Sequence, residues 1–476
     1  MGRDRNNPDG ASTYPADAAD LESYREASRQ IAQMQMPVLV RADRTNERLF
    51  VVGFDGTGAD MAQDARERWT NVALIHDQIQ EKLRRGEVSN VASSYVEGAG
   101  TRGGFFNRFA DRVFGHSFEA RVEQGYKQFI DQAGQWLKEN PGADIRIAAT
   151  GFSRGAEQMA AFTRMVHERG IQDPDGAVYR TDRNGQIISV EYTKPPLVAP
   201  GLVPQAALSL DPVGTGVPNQ NDRRLPPSVV TGLQITAEDE RRDLFRSSNH
   251  IDPGMHEGSR FLNVTVGGAH TNIGGSYLAN GLSERTHNLG VDFLNALSDP
   301  PFLDKRREPT DPALNVVHRS EEHLPLFGST RRFDDDGRRG RIERLVPAGQ
   351  CTPAVMDCFN KEPHDALLAS RLEWREPPIA PTPSLAPVKA LGHPHAESEL
   401  DALFNRLSNA AMAGDHQGMR AASQDYVRSD AGQTWLQSGR DHNAQQREAE
   451  LQRQAEAQRQ PAMTDWHQAP EAPMMR

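Results

Sequence analysis

The sequence predicts an α/β protein built on a mostly parallel sheet covered by helices on both faces, with a helical C-terminal extension. Three observations carry this. Apolar runs of strand length alternate with stretches of helical period between residues 48 and 298. Several of those runs end in glycine-bearing turns, where a strand hands over to a helix. Periodicity then lapses in a proline- and charge-rich stretch from 299 to about 395, and returns around Leu403, Phe404, Leu407, Met419 and Tyr426.

"RLFVVGFDGTG" (48–58) reads as a buried strand running into a turn, and "TNVALIHDQIQEKLRR" (70–85) as a helix capped by Thr70 or Asn71. "VASSYVEGAGTRGG" (91–104) is a second strand, and a long helix covers 116–139. A third strand ends at "IAATGFSRGA", where the next helix begins. "AALSLDPVGTG" (206–216), "VVTGLQIT" (229–236) and "RFLNVTVGGAHTNIGGSY" (260–277) supply further strands, and "NLGVDFLNALS" (288–298) a helix. The domains expected are a polar leader (1–40), a catalytic domain (41–345), a proline-rich linker or cap segment (346–395) and a helical, partly disordered extension (396–476).

The chain of 476 residues has 25% charged residues and a formal charge of −11, which argues against a general nucleic-acid binder. Two cysteines, Cys351 and Cys358, are too few for a structural metal site or a disulfide framework. The first 20 residues have no apolar core of the kind a secretory signal needs, and no run of 18 apolar residues occurs. A route out of the cell would therefore use specialised machinery rather than a cleavable signal peptide.

Gly151-Phe-Ser153-Arg-Gly155 stands between a predicted strand and a predicted helix. That pattern suits a nucleophilic serine held in strained backbone at a sharp turn, with no room for side chains two positions either side. The amide of Arg154 and the start of the helix then favour negative charge beside the hydroxyl. The plainer reading is a tight turn in which Ser153 caps the helix. A serine nucleophile needs a base, and the base needs an orienting partner. Asp211 ends one strand, His270 and Asn272 follow another, and His318 lies in the short apolar run "LNVVHRS". His318 is the preferred base, since the order Ser…acid…His then closes on the last strand. His270, with Asp211 as acid, is the alternative. Asp55, with Gly56 and Thr57, organises the oxyanion side or merely caps its own loop. His250, His256 and His287 read as surface residues.

The residues also carry a resemblance. "FDGT" (54–57), "TNV" (70–72), "YVEGAGT" (95–101), "TGFSRGA" (150–156), "SLDPVG" (209–214), "EDERRDLF" (238–245), "GGAHTNIGGSY" (267–277) and "VVHRS" (316–320) occur in order over roughly 48–320. Together they resemble the DUF2235 family, which includes the Tle1-type phospholipase effectors of bacterial type VI secretion. The resemblance implies an α/β-hydrolase-like sheet, a Ser/Asp/His triad and hydrolysis of phospholipid carboxylic esters. It further implies an antibacterial toxin acting in a rival's periplasm or at a membrane surface, with a secretion-apparatus partner and a cognate immunity protein. Asn272 stands where the family pattern has aspartate. An amide can hold a histidine tautomer but cannot stabilise an imidazolium by charge.

No cofactor or metal is expected. Asp60, Asp64 and Asp252 lack calcium-loop spacing, and the glycine loops at 98–104 and 212–216 lack phosphate-cradle patterns. Two apolar loops, "GGFFNRF" (103–109) and "PPLVAPGLVP" (195–204), are candidates for a lipid-facing rim.

Overall fold

In strand β1 (Glu47–Phe54) side chains alternate across the sheet, as the two-residue strand period requires. Leu49 and Val51 enter one apolar cluster, while Phe50, Val52 and Phe54 enter another on the opposite face. The same division runs through β2 (Val91–Val96), β3 (Asp144–Phe152), β4 (Gln205–Leu210), β5 (Val229–Ala237) and β7 (Phe261–Val266), while the edge strand β6 (Gly254–His256) packs only Met255, against the first cluster. These strands form one sheet in the order β6-β7-β5-β4-β3-β1-β2. All neighbours are parallel except the edge pair β6 and β7. This is the mostly parallel sheet expected, with helices on both faces.

The structure, a computed structural model, describes residues 8–98, 112–183, 185–214, 222–242, 245–322, 341–342, 345, 361–375 and the single positions 421, 425 and 428. The chain divides into two compact units, Met1–Thr382 and Pro383–Arg476. In the second, Ala421, Asp425 and Arg428 are helical. The loop 103–109, both cysteines and nearly all of 396–476 lie outside the described residues.

Helices α1 (Ala18–Ile31), α2 (Asn71–Arg85) and α6 (Gly281–Ala296) bury Tyr24, Ile31, Ile75, Ile79, Leu289 and Phe293 in the first cluster. Helices α3 (Arg112–Glu139) and α4 (Arg154–Arg169) bury Val122, Phe129, Met159, Phe162 and Val166 in the second. Thr70 caps α2 by accepting from the Ala73 amide at 3.2 Å, and Gly86, at φ 69°, ends it in the left-handed conformation. Arg146 interrupts an otherwise apolar strand because the Leu39 carbonyl (2.7 Å) and the carboxylates of Asp144 (2.5 Å) and Glu47 (3.4 Å) receive its guanidinium.

Several features differ from the sequence reading. The segment read as a polar leader with a short helix over Asp20–Met34 does hold a helix, α1, but it is capped by Asp17 and packed into the core, and a strand Thr13–Pro15 pairs antiparallel with Val316–His318. Residues 177–192 form a hairpin, Ala177–Thr181 with Ile187–Tyr192, whose outer face stays open enough to leave Val178 and Ile188 exposed. His250 and His287 are buried rather than on the surface. The candidate rim 195–204 leads directly into β4, at the opposite end of the sheet from Ser153, which follows the last residue of the parallel strand β3. It therefore cannot border the serine.

Candidate active site

The chain runs from β1 to β2 on one side and returns to β3 on the other. In such sheets the crevice for a ligand opens at the carboxyl ends of the strands beside this reversal. Phe54 is in register with Gly151, and Phe152 with Leu210. Asp55, Ser153 and Asp211 therefore leave adjacent strands at one edge.

Ser153 has φ 59° and ψ −128°, a backbone conformation that costs on the order of 1–3 kcal/mol outside glycine. Its amide donates to the Leu210 carbonyl (3.1 Å) and its carbonyl accepts from Val213 (3.2 Å). The hydroxyl makes no hydrogen bond that caps α4, so the tight turn of the plainer reading is present but its capping bond is not. Both flanking glycines are obligatory. A Cβ at Gly155 would sit 2.2 Å from the Phe54 carbonyl oxygen, and one at Gly151 would sit 2.6 Å from the Ala156 Cα.

Asp211 is fully buried at φ 41°. Its Oδ1 accepts from the Ala237 amide at 2.9 Å, and its Oδ2 accepts a short hydrogen bond from Nδ1 of His270. His270 begins the short helix α5 (His270–Gly274) after β7. Its ring stacks on Phe152, the residue before the serine, at 4.6 Å, and meets Phe245 edge-on at 5.1 Å. The His270 amide donates to Oε2 of Glu240 (3.2 Å), which Arg242 grips through Nε (2.8 Å) and Nη2 (2.9 Å). Burial pulls the imidazole below its ordinary pKa, and the Asp211 carboxylate opposes that only in part. The ring is therefore neutral at neutral pH. With Nδ1–H committed to Asp211, Nε2 is the nitrogen left to take a proton.

His318 is held elsewhere. Oδ1 of Asn272 accepts from the amides of Ala269 and His318, both at 3.1 Å, which fixes the orientation of the side-chain amide. Its Nδ2 then donates to the Val316 carbonyl (3.1 Å) and to Nδ1 of His318 (3.0 Å). His318 accordingly carries its proton on Nε2, which faces Oδ2 of Asp9 at 3.3 Å, while Tyr277 stacks on the ring at 3.8 Å. Both ring nitrogens are occupied, so the preference for His318 as base does not fit this arrangement. Asn272 therefore orients His318 and not His270, whose Nδ1 is held by Asp211 instead.

Asp55 is buried and accepts from the Gly56 amide (2.6 Å), the Thr70 hydroxyl (2.7 Å) and the Tyr95 hydroxyl (2.7 Å). Burial pushes its pKa up to about 6 against the pull of those donors. Its loop lies against the serine, since a Cβ on Gly56 would come within 3.4 Å of the Ser153 Cβ. Thr57 places there a buried hydroxyl that meets no hydrogen-bond partner among the described residues. Burial, with the Arg242 charge second, lowers the Arg154 guanidinium to about 10.

Tyr95, Glu240 and Arg242 fall within the motifs quoted above, where nothing in the sequence singles them out. Asp9 offered no signal at all. Among the described residues, no cluster of His, Cys, Asp and Glu could hold a metal ion, and no helix is long and apolar enough to cross a membrane.

Residues 48–184 match the model of the family described as type VI secretion system, phospholipase effector Tle1-like, catalytic domain. No curated protein matches the chain. Among solved structures, it is similar to an uncharacterised Pseudomonas aeruginosa protein at 17% identity, over 61% of this chain and 51% of that one, with a TM-score of 0.36. It is also similar to a Tle1 effector bound to the VgrG spike, at 16% identity, over 48% and 51%, with a TM-score of 0.29. For the apo form of Thermogutta terrifontis esterase 2 the identity is 15%, the coverage 53% and 84%, and the TM-score 0.27. The chain thus spans about half the length of the first two relatives.

Proposed function

Because residues 48–184 are similar to the catalytic domain of Tle1-like phospholipase effectors of type VI secretion, we propose that this chain is a serine hydrolase cleaving carboxylic esters of phospholipids. Ser153 is the nucleophile, His270 the base and Asp211 the acid. The observation that supports this best is the Asp211–His270 pair, whose imidazole stacks on Phe152, the residue directly before the strained serine. The order Ser…Asp…His in the chain is kept.

In the reaction, Ser153 Oγ attacks the acyl carbonyl while Nε2 of His270 takes its proton. The Asp211 carboxylate stabilises the imidazolium that forms. The Arg154 amide and the Gly56–Thr57 loop face the negative charge that develops on the carbonyl oxygen, with α4 adding its positive end. The proton then passes to the departing lysophospholipid alkoxide, and water releases the fatty acid by the same steps. The chemistry requires no cofactor.

The same similarity motivates a wider reading. The protein leaves its cell through a type VI secretion apparatus and acts at a membrane surface in a target periplasm. Its partners are a component of the secretion apparatus and a cognate immunity protein. The similar Tle1 effector was solved bound to a VgrG spike, so co-purification with a cognate spike protein is the direct check of delivery.

For the chemistry, purified protein is incubated with mixed phospholipid vesicles and released fatty acid is measured. Release by the wild type and none by Ser153→Ala is expected. Equal background release from both would refute the reading.

A further inference from the structure

We propose that Asp9 is a positioning residue for His270, acting through His318 and Asn272, so that residues 8–16 form a strap that completes the active site. The proposal rests on the serine-hydrolase reading above and names a part of that site far away in sequence.

Asp9 is buried, and 309 positions separate it from His318. Its Oδ1 accepts from the Leu278 amide (2.8 Å) and its Oδ2 from the Ala279 amide (3.0 Å). Those amides lie just beyond α5, the helix that His270 begins. On the other side, Oδ2 receives Nε2–H of His318, whose Nδ1 receives Asn272, whose Oδ1 receives the Ala269 amide directly before His270. Both ends of the segment carrying His270 therefore lead back to one carboxylate.

The strap itself is fastened along its length. Thr13–Pro15 pair with Val316–His318, Ser12 accepts from the Arg319 amide (2.8 Å), and Ala16 donates to Asn315 (3.0 Å). Arg68 donates to the Pro8 carbonyl at 2.9 Å and stands 3.5 Å from the Asp9 carboxylate.

The carboxylate suits this role chemically. Asp9 faces two amides and an imidazole N–H, all donors, so only a group that accepts throughout satisfies them. Burial works to raise its pKa, but His318 and the two amides outweigh it and hold it down at about 2. An asparagine would turn an N–H against at least one of those donors. His270 must meet both Asp211 and the serine, and an ångström of misplacement at such a site costs on the order of 100-fold in rate.

The test uses the full chain and vesicles of phosphatidylethanolamine and phosphatidylglycerol. Asp9→Asn is expected to lower kcat by roughly ten- to a hundred-fold with KM within about two-fold of wild type. Asn272→Ala should do likewise, and the double variant should fall no further than the worse single one, because both interrupt one relay. Unchanged kcat in a folded Asp9→Asn protein, or losses that multiply in the double variant, would overturn the proposal. Should Asp9→Asn fail to fold, nitrogen NMR of the wild-type imidazoles decides instead. His318 is expected with its proton on Nε2 at neutral pH, and a proton on Nδ1 would sink the relay. A wild type that hydrolyses no ester, with Ser153 unlabelled by a fluorophosphonate, overturns the hydrolase reading and this proposal together. An active wild type indifferent to Asp9 overturns the proposal alone.

Discussion

Nδ1 of His270 reaches Oδ2 of Asp211 across the end of β5, the strand that lies between those two residues' own strands. The bridge is made possible by Ala237, whose amide at the tip of β5 holds the other carboxylate oxygen. His270→Asn is expected to reduce kcat on a soluble p-nitrophenyl ester by about 10⁴-fold or more. His318→Asn should cost far less, in line with a positioning role. The reverse ranking would return the base to His318.

The pH dependence follows from burial. Since burial lowers the pKa of His270, the acid limb of kcat/KM is expected below the ordinary 6.5, with the rate rising through it to a plateau near neutrality. Stability moves in the same direction. His76 is depressed to about 4 and His287 to about 3 by burial. Between those values and 6.5 the unfolded chain binds protons that the folded chain does not. Stability therefore falls as pH drops below about 6.5, by up to about 1.4 kcal/mol per pH unit for each such group. Urea midpoints at pH 7.5, 6.0 and 5.0 should decline in that order.

Asp55 shifts the other way. Its folded pKa of about 6 lies above the ordinary 3.8, so its share of stability is full below 3.8 and lost as pH rises through 6. The gap corresponds to roughly 3 kcal/mol between protonation states. Asp55→Asn can keep the Gly56 contact and donate to the Thr70 and Tyr95 hydroxyls. The variant's melting temperature, compared with wild type, is expected to improve from pH 4 to about pH 6 and then level off. A difference independent of pH would mean that Asp55 does not change its charge in that interval.

How far the sequence reveals this site depends on the distance over which each residue finds its partner. The meeting of Ser153 and Asp211 at one sheet edge is legible because each follows an apolar run directly, and a parallel sheet brings such ends together. His270 and His318 were not separable, since each also follows an apolar run, and only the fold decides which ring meets Asp211. Asp9 sits in a polar opening stretch, and its partner lies 309 positions away. His250 and His287 were misread for a related reason. Polar neighbours in sequence suggest solvent, yet His250 meets the buried Ser209 hydroxyl at 3.0 Å, and His287 lies on α6, whose surroundings are almost wholly core. The hairpin 177–192 escaped notice because only one of its faces is covered, by α3, and it lacks the apolar density of the central strands.

A buried ion cluster beneath the serine gives the last prediction. Glu157, one turn into α4 from Ser153, is fully enclosed and paired with the buried Arg223, with Nε2 of His250 at 3.4 Å. Burial works to raise the carboxyl pKa, but Arg223 and His250 outweigh it and hold it at about 2, so it is charged throughout the neutral range. Glu157→Gln leaves the Arg223 guanidinium buried without its counter-charge, which costs about 3–5 kcal/mol. Removing both charges together, as in Glu157→Leu with Arg223→Met, should recover most of that loss, because the desolvation of two ions then disappears along with their attraction. Urea unfolding at pH 7 measures both. Recovery in the double variant would show that the pair is not needed for stability, and any deficit in ester hydrolysis that persisted would then report on how the first turn of α4 holds Ser153. A single Glu157→Gln variant as stable as wild type would mean that the guanidinium finds solvent or another carboxylate when its partner is neutralised.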